Sequence, residues 1–209
     1  MERGELENLI TAAVQAATKD LVSSIQSLRA DVQVLKVDLE AKDKKIAELE
    51  NRLVNRMDEM EQYGRRNNLR IFGVSESDNE DTDDPVLSVA SKLGLTLDAA
   101  CIDRSHRLGK KGLKVRPIIV KFVSYSDRRL MFGVKKKLKG TKLTIREDLA
   151  SQRYRLLRDA IASYSEKRVW SLDGVIKVDV GLRFPLSVRT HEQLQDMLVK
   201  HPPSTLKDK

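Results

Sequence analysis

Tyr63-Gly-Arg-Arg-Asn-Asn-Leu-Arg-Ile-Phe-Gly-Val74 is where the chain changes its period. Before it, apolar residues recur every three or four positions; within it, Leu69 and Ile71 alternate with Arg70 and Phe72, and the helical pattern is broken by Gly64 and the paired asparagines. A helical N-terminal segment that gives way to a strand-forming remainder predicts an α+β chain: a long coiled-coil helix over 1–64, a βαββαβ unit over 65–147 and a small α/β unit over 148–200, with 201–209 as a disordered tail.

Upstream, Leu21, Ile25, Leu28, Val32, Leu35, Leu39, Ile46, Leu49 and Leu53 fall at heptad spacing, Lys42 being the polar exception. No proline or glycine interrupts the pattern between Glu5 and Tyr63, which is too long for an ordinary globular helix and predicts self-association through a coiled coil. The step from Leu53 to Met57 is a stutter that carries the seam on to Met57 and Met60. There Arg56-Met-Asp-Glu-Met-Glu61 resembles the Arg-h-x-x-h-Glu pattern of parallel three-stranded coiled coils, so a trimer is favoured and a dimer stays open.

Downstream, Leu69-Arg-Ile-Phe-Gly-Val74 reads as a strand, and Pro85 as the first residue of a helix to Leu93. Ile102-Asp-Arg-Ser-His-Arg-Leu108 and Arg116-Pro-Ile-Ile-Val-Lys-Phe-Val123 read as strands around a Gly/Lys loop. A helix capped by Ser126 follows, with Leu130, Val134 and Leu138 inward, and Lys142-Leu-Thr-Ile-Arg146 is the last strand of the unit. Asp148 reads as the cap of a basic helix over 149–164. Asp173-Gly174 between two apolar runs is a hairpin turn, and Thr190-His-Glu-Gln193 resembles a capping box before a last helix.

Charge is distributed unevenly over the 209 residues. Residues 1–64 carry a net −4 and residues 65–209 a net +12, although six acids gather in loop 75–84, which reads as flexible and solvated. An excess of cations on the folded part points to a polyanion. No apolar run approaches the roughly 18–20 residues of a membrane span, and no signal-peptide core is present, so a soluble intracellular protein without membrane attachment is expected. Cys101 is a lone cysteine, His106, His191 and His201 lack metal spacing, and no nucleophile elbow or phosphate loop occurs. The expectation is a protein that is not an enzyme and takes no cofactor or metal.

A βαββαβ unit of this length fits an RNA-recognition motif, whose open sheet face binds single strands. On that face the alternation puts Arg70, Phe72, Pro117, Ile119 and Lys121, so Phe72 is the only ring and phosphate contacts must supply most of the affinity. The candidate nucleic-acid-binding residues are Arg65, Arg66, Arg70, Phe72, Arg104, Arg107, Lys110, Lys111, Lys114, Arg116, Lys121, Arg128, Arg129, Lys135, Lys136, Lys137, Arg153, Arg155 and Arg158. The candidate oligomerisation residues are the nine heptad positions with Arg56, Met57, Met60 and Glu61.

A coiled coil followed by Tyr63-Gly-Arg-Arg-Asn-Asn-Leu-Arg-Ile-Phe-Gly-Val74, Ser105-His-Arg-Leu-Gly109, Arg116-Pro-Ile-Ile-Val-Lys-Phe122 and Ile145-Arg-Glu-Asp-Leu149 resembles the first-open-reading-frame protein of LINE-type non-LTR retrotransposons, over roughly residues 21–200. Val169-Trp-Ser-Leu-Asp-Gly174 is also similar to the C-terminal domain of baculovirus few-polyhedra proteins. The retrotransposon resemblance implies a trimeric protein that coats its own transcript, acts as a nucleic-acid chaperone and holds RNA between the recognition motif and the terminal domain. By position it makes Arg107, Lys121, Arg153, Arg155 and Arg158 contacts. The expected partners are single-stranded RNA, with single-stranded DNA open, in a cytoplasmic ribonucleoprotein; nuclear access is also open, because Lys135-Lys-Lys-Leu-Lys139 passes for an import signal. A coiled-coil adaptor of few-polyhedra type and a duplex-DNA-binding protein are the alternatives.

Overall fold

The computed structural model of the chain describes residues 3–112 and 115–203. It divides into two compact units, at Val54/Asn55. Helix α1, Arg3–Gly64, is unbroken for 62 residues, and the first unit consists of its part up to Val54. The heptad residues from Leu21 to Leu53 are each 48–65% exposed, so in a single chain nothing covers their stripe.

The second unit begins with the last turns of α1. Strands β1 (Asn68–Phe72), β2 (Ile102–Arg107), β3 (Ile118–Phe122) and β4 (Thr144–Glu147) form one antiparallel sheet in the order β2-β3-β1-β4. Alternation sends Leu69, Ile71, Ile118, Val120, Phe122 and Ile145 to one face, where helices α2 (Asp83–Lys92) and α3 (Tyr125–Gly133) bury Val86, Val89, Met131 and Phe132 against them. Each such side chain contributes about 1.5–3 kcal/mol by leaving water. The opposite face carries a cross-strand row of His106, Ile119, Arg70 and Arg146, with Phe72 beside it.

Two helix starts differ from the expected ones. Helix α2 begins two residues before Pro85, so that Asp83 and Asp84 sit in its first turn, where the helix dipole favours negative charge. Helix α3 is capped by Ser124, whose hydroxyl accepts from the Asp127 N–H at 3.1 Å, rather than by Ser126. It stops at Gly133, and a short 3-10 turn, Lys135–Leu138, follows. Its buried face is Arg128, Met131 and Phe132, whereas Leu130 is 54% exposed; Arg128 turns inward to meet carboxylates described below.

Helix α4 (Ser151–Tyr164) leads into the hairpin of β5 (Val169–Leu172) and β6 (Val175–Val178), whose turn residues Asp173 and Gly174 both have positive φ. A third strand, β7 (Leu186–Val188), completes the order β5-β6-β7, and helix α5 (His191–Lys200) starts at Thr190, whose hydroxyl accepts from the Gln193 N–H. Leu156, Ala160 and Tyr164 of α4 share a second core with Ile176, Val178, Val188, Leu194 and Met197.

Gly73 leaves β1 with φ +82°, and a Cβ there would overlap the carbonyl oxygen of Lys142. Gly73→Ala is expected to cost about 3 kcal/mol, from left-handed strain of about 1 and steric displacement of about 2 kcal/mol. Denaturant unfolding measures it, and a loss under about 1 kcal/mol would contradict the close approach of these two segments.

Candidate nucleic-acid interface

Strand β4 ends in Glu147-Asp148, and the structure uses both carboxylates as internal anchors. Asp148 does not cap α4: the cap position is Ala150, and the buried Asp148 carboxylate instead accepts from Arg65 at 2.9 Å, Asn68 at 3.0 Å and Arg70 at 2.7 Å. Three donors on one buried carboxylate replace the hydration it loses. Glu147 pairs with Arg128, whose other amine donates to Asp173 at 3.0 Å. The Tyr125 hydroxyl also donates to Asp173, at 2.8 Å, and this bond, with burial, pushes its pKa up.

The last turns of α1 enter the same network. Gln62 donates to the Asp148 carbonyl at 3.3 Å and accepts from the Ala150 N–H at 2.9 Å, while Asp58 pairs with Arg153, which also donates to the Gly174 carbonyl at 2.8 Å. Gly174 has φ +73°, and a Cβ there would run into the Gln62 side chain, so any larger residue would strain the turn and push Gln62 from its hydrogen bonds.

This network revises part of the expected site. Arg107, Arg128 and Arg153 are buried, at 9%, 3% and 5% exposure, and each is an internal ion-pair partner rather than an exposed cation. Arg107 donates to Glu80 at 2.6 Å and to the carbonyls of Val74, Ser75 and Arg116. Loop 75–84 is accordingly not a free solvated segment. Glu76, Asp78 and Glu80 pair with Arg116, Lys111 and Arg107, and hydrogen bonds from Arg116 and Arg107 hold the Glu76 and Glu80 carboxyls below their usual range.

The remaining candidates fall into two groups. Arg65, Arg70 and Lys121 are paired but partly exposed, Lys121 to Asp103 at 2.6 Å, and Lys137 donates to the Leu93 carbonyl at 2.9 Å. Arg66, Arg104, Lys110, Arg129, Lys136, Arg155 and Arg158 are exposed and have no carboxylate partner among the described residues. Lys114 lies outside the described residues.

A cleft of about 540 Å³ runs between the open sheet face and the α4–β5 segment. Arg70, Phe72 and Arg146 line it from the sheet, Lys135 from the 3-10 turn, Tyr154 from α4 and Trp170 from β5, over a floor that includes Leu149, Leu157, Ile161 and Val169. Tyr154 is 51% and Trp170 39% exposed. The Arg146 guanidinium lies 5.6 Å from the centre of the Phe72 ring, and the Lys135 ammonium 3.5 Å from that of Phe132. Burial pushes the Lys135 pKa down; the Glu147 charge opposes this, and Arg128, Arg146 and Lys136 add to it.

Sequence reading missed Arg146, Tyr154 and Trp170. Arg146 was legible in principle, because alternation along β4 puts it beside Arg70 in the sheet register. The two rings come from a different sheet and helix, and no local pattern joins them to the open sheet face. Rings that can stack on bases, cations for phosphates and an apolar floor are what a single strand needs.

No protein-family model matches the chain, and no curated protein matches it. Among the described residues no helix is long and apolar enough to cross a membrane.

Arg153→Met should lower stability by about 3–5 kcal/mol, because Asp58 would stay buried without its cation. Arg155→Ala, two positions on and exposed, should change it by no more than about 0.5 kcal/mol. Equal effects in paired denaturation curves would contradict the buried assignment of Arg153.

Proposed function

We propose that this protein binds single-stranded nucleic acid, RNA foremost, in the cleft between the open sheet face and the α4–β5 segment, and that copies of the chain are joined through α1. The observation that carries the reading is the composition of the cleft: Phe72, Tyr154 and Trp170 with Arg70, Lys135 and Arg146 around one apolar-floored groove. The strand order β2-β3-β1-β4, with α2 and α3 on one face, supports reading this unit as an RNA-recognition motif. Cation contacts to phosphate bind without regard to sequence, and stacking tolerates any base, so recognition is of strandedness more than of sequence.

Self-association follows from the uncovered stripe of α1. With about 100° per residue, the mean direction of the seam residues Leu53, Met57 and Met60 lies roughly 150° around the helix from that of Asp58 and Gln62, which pair with Arg153 and with the backbone of Asp148 and Ala150. A helical bundle would thus leave the junction intact. Within one chain Arg56 pairs with Glu59 and Glu61 with Arg65; in the proposed trimer Arg56 and Glu61 would bridge neighbouring helices as well, the Arg56 guanidinium having donors for both carboxylates. Several clefts on one assembly engage one strand at high effective concentration, which suits packaging and chaperoning of RNA of the kind the retrotransposon resemblance implies. Nothing in this reading requires a cofactor or a reaction step.

Binding of a labelled single-stranded RNA, measured across salt, tests the proposal. Three phosphate contacts, from Arg70, Lys135 and Arg146, at a slope of about −0.7 each, weaken binding about 40-fold between about 50 and about 300 mM salt. Tyr154→Ala and Trp170→Ala should each cost about 1–3 kcal/mol of affinity. Salt-independent binding that ignores both rings would refute the reading. Deleting residues 1–54 should leave a monomer that binds long RNA far more weakly than the full chain.

Lys135 adds a pH dependence. Because its folded pKa is lowered, it loses its proton at a lower pH than ordinary lysine, and affinity should begin to fall there on the alkaline side. Its contribution to stability moves the other way, rising with pH, since the unfolded chain holds that proton longer. Lys135→Arg should abolish the alkaline loss of affinity, and a profile unchanged by it would remove Lys135 from the interface.

A further inference from the structure

A second cavity, of about 400 Å³, opens where α1 ends, and Glu147 lines it as well as the first. Tyr63 and Arg66 border it from the end of α1, Tyr125 and Arg128 from α3, and Arg189 from the turn before α5. The carboxylates around it are already engaged: Glu147 by Arg128, Asp148 by Arg65 and Arg70, Asp173 by Arg128 and Tyr125, and Glu59 by Arg56.

The groups left over are donors. Arg66 and Arg189 are exposed and have no carboxylate partner among the described residues, and the Arg66 guanidinium lies 4.1 Å from the centre of the Tyr63 ring, which is itself 65% exposed. Arg128, 3% exposed, has its Nε–H buried without an acceptor. A cavity with surplus cations, an orphaned donor and an exposed ring lacks acceptor oxygens, and a bound anion, with any water it orders, would supply them.

We propose that this cavity is a second phosphate site, in which Arg66 and Arg189 grip the phosphodiester backbone of the strand that occupies the first cleft, with Tyr63 offering its face to an adjoining base. The inference rests on the nucleic-acid reading given above. The wall shared at Glu147 puts the two cavities within reach of one strand, which favours a nucleic-acid phosphate over an unrelated acidic peptide. Arg65 is held on Asp148 and orients the end of α1 without being the grip itself.

The test compares the full chain with the Arg66→Ala/Arg189→Ala double variant on two single-stranded RNAs, of about four and about twelve nucleotides, within the range of single-strand site sizes. Both residues are exposed, so the variant should keep the wild-type unfolding temperature. The expected result is unchanged affinity for the short strand, a loss of about 10-fold or more for the long one, and a salt slope smaller by about 1.4, the share of two phosphate contacts. Unchanged affinity for the long strand, or equal losses at both lengths, would overturn the site. So would a polyglutamate peptide that binds wild type but not the variant while the long RNA binds both alike. Trp170→Ala serves as the control: if it fails to weaken the short strand, the cleft itself is wrong, which is a different failure from loss of the second site.

Discussion

A carboxylate withdrawn from water must be compensated or it costs several kcal/mol, and Asp148 is fully withdrawn. Its compensation comes from Arg65 just beyond α1, and from Asn68 and Arg70 on β1, so one side chain ties the end of the long helix to the central part of the sheet. Asp58 with Arg153 and Glu147 with Arg128 extend the tie to α4, α3 and the β5–β6 turn. Because Arg70 is both a tie and a wall of the cleft, the internal electrostatics determine where the sheet face meets α4 and β5.

The excess of cations thereby acquires two roles. Arg107, Arg128 and Arg153 are held inside by carboxylates and carbonyls, where loss of either partner would leave an uncompensated charge. The exposed arginines and lysines left without partners give the surface its positive field, which in the proposed function attracts a polyanion. Loop 75–84 pairs with Arg107 of β2 and with Lys111 and Arg116 of the β2–β3 connection, and so neutralises part of the positive charge on that side of the unit.

Local periodicity made most of the elements legible. The heptads announced α1, alternation announced β1 and β3, and Asp173-Gly174 announced the hairpin, because these signals depend only on residues close in sequence. Strand β7 escaped notice because three residues give too little alternation to recognise. The starts of α2 and α3 shifted by about two residues, because tertiary demands decide between nearby caps, such as Ser124 and Ser126, and α3 stops at Gly133, before the 3-10 turn that carries Leu138 inward. Partners of charges were the least legible feature. Arg153 reads as one more cation on a basic helix, and only the fold brings Asp58, 95 residues away, to meet it. For the same reason Tyr154 and Trp170 look like ordinary surface rings until α4 and β5 are set against Arg146 and Phe72.

Trp170 is the single tryptophan of the chain, which gives the cleft its own reporter. Intrinsic tryptophan fluorescence of the full-length protein, titrated with unlabelled single-stranded RNA alongside an anisotropy measurement of binding, tests the central claim most directly. Stacking of a base on the indole should quench the emission in step with the anisotropy curve. Saturated binding that leaves the emission unaltered in intensity and wavelength would show that the strand lies elsewhere, and the account given of this cleft would be wrong.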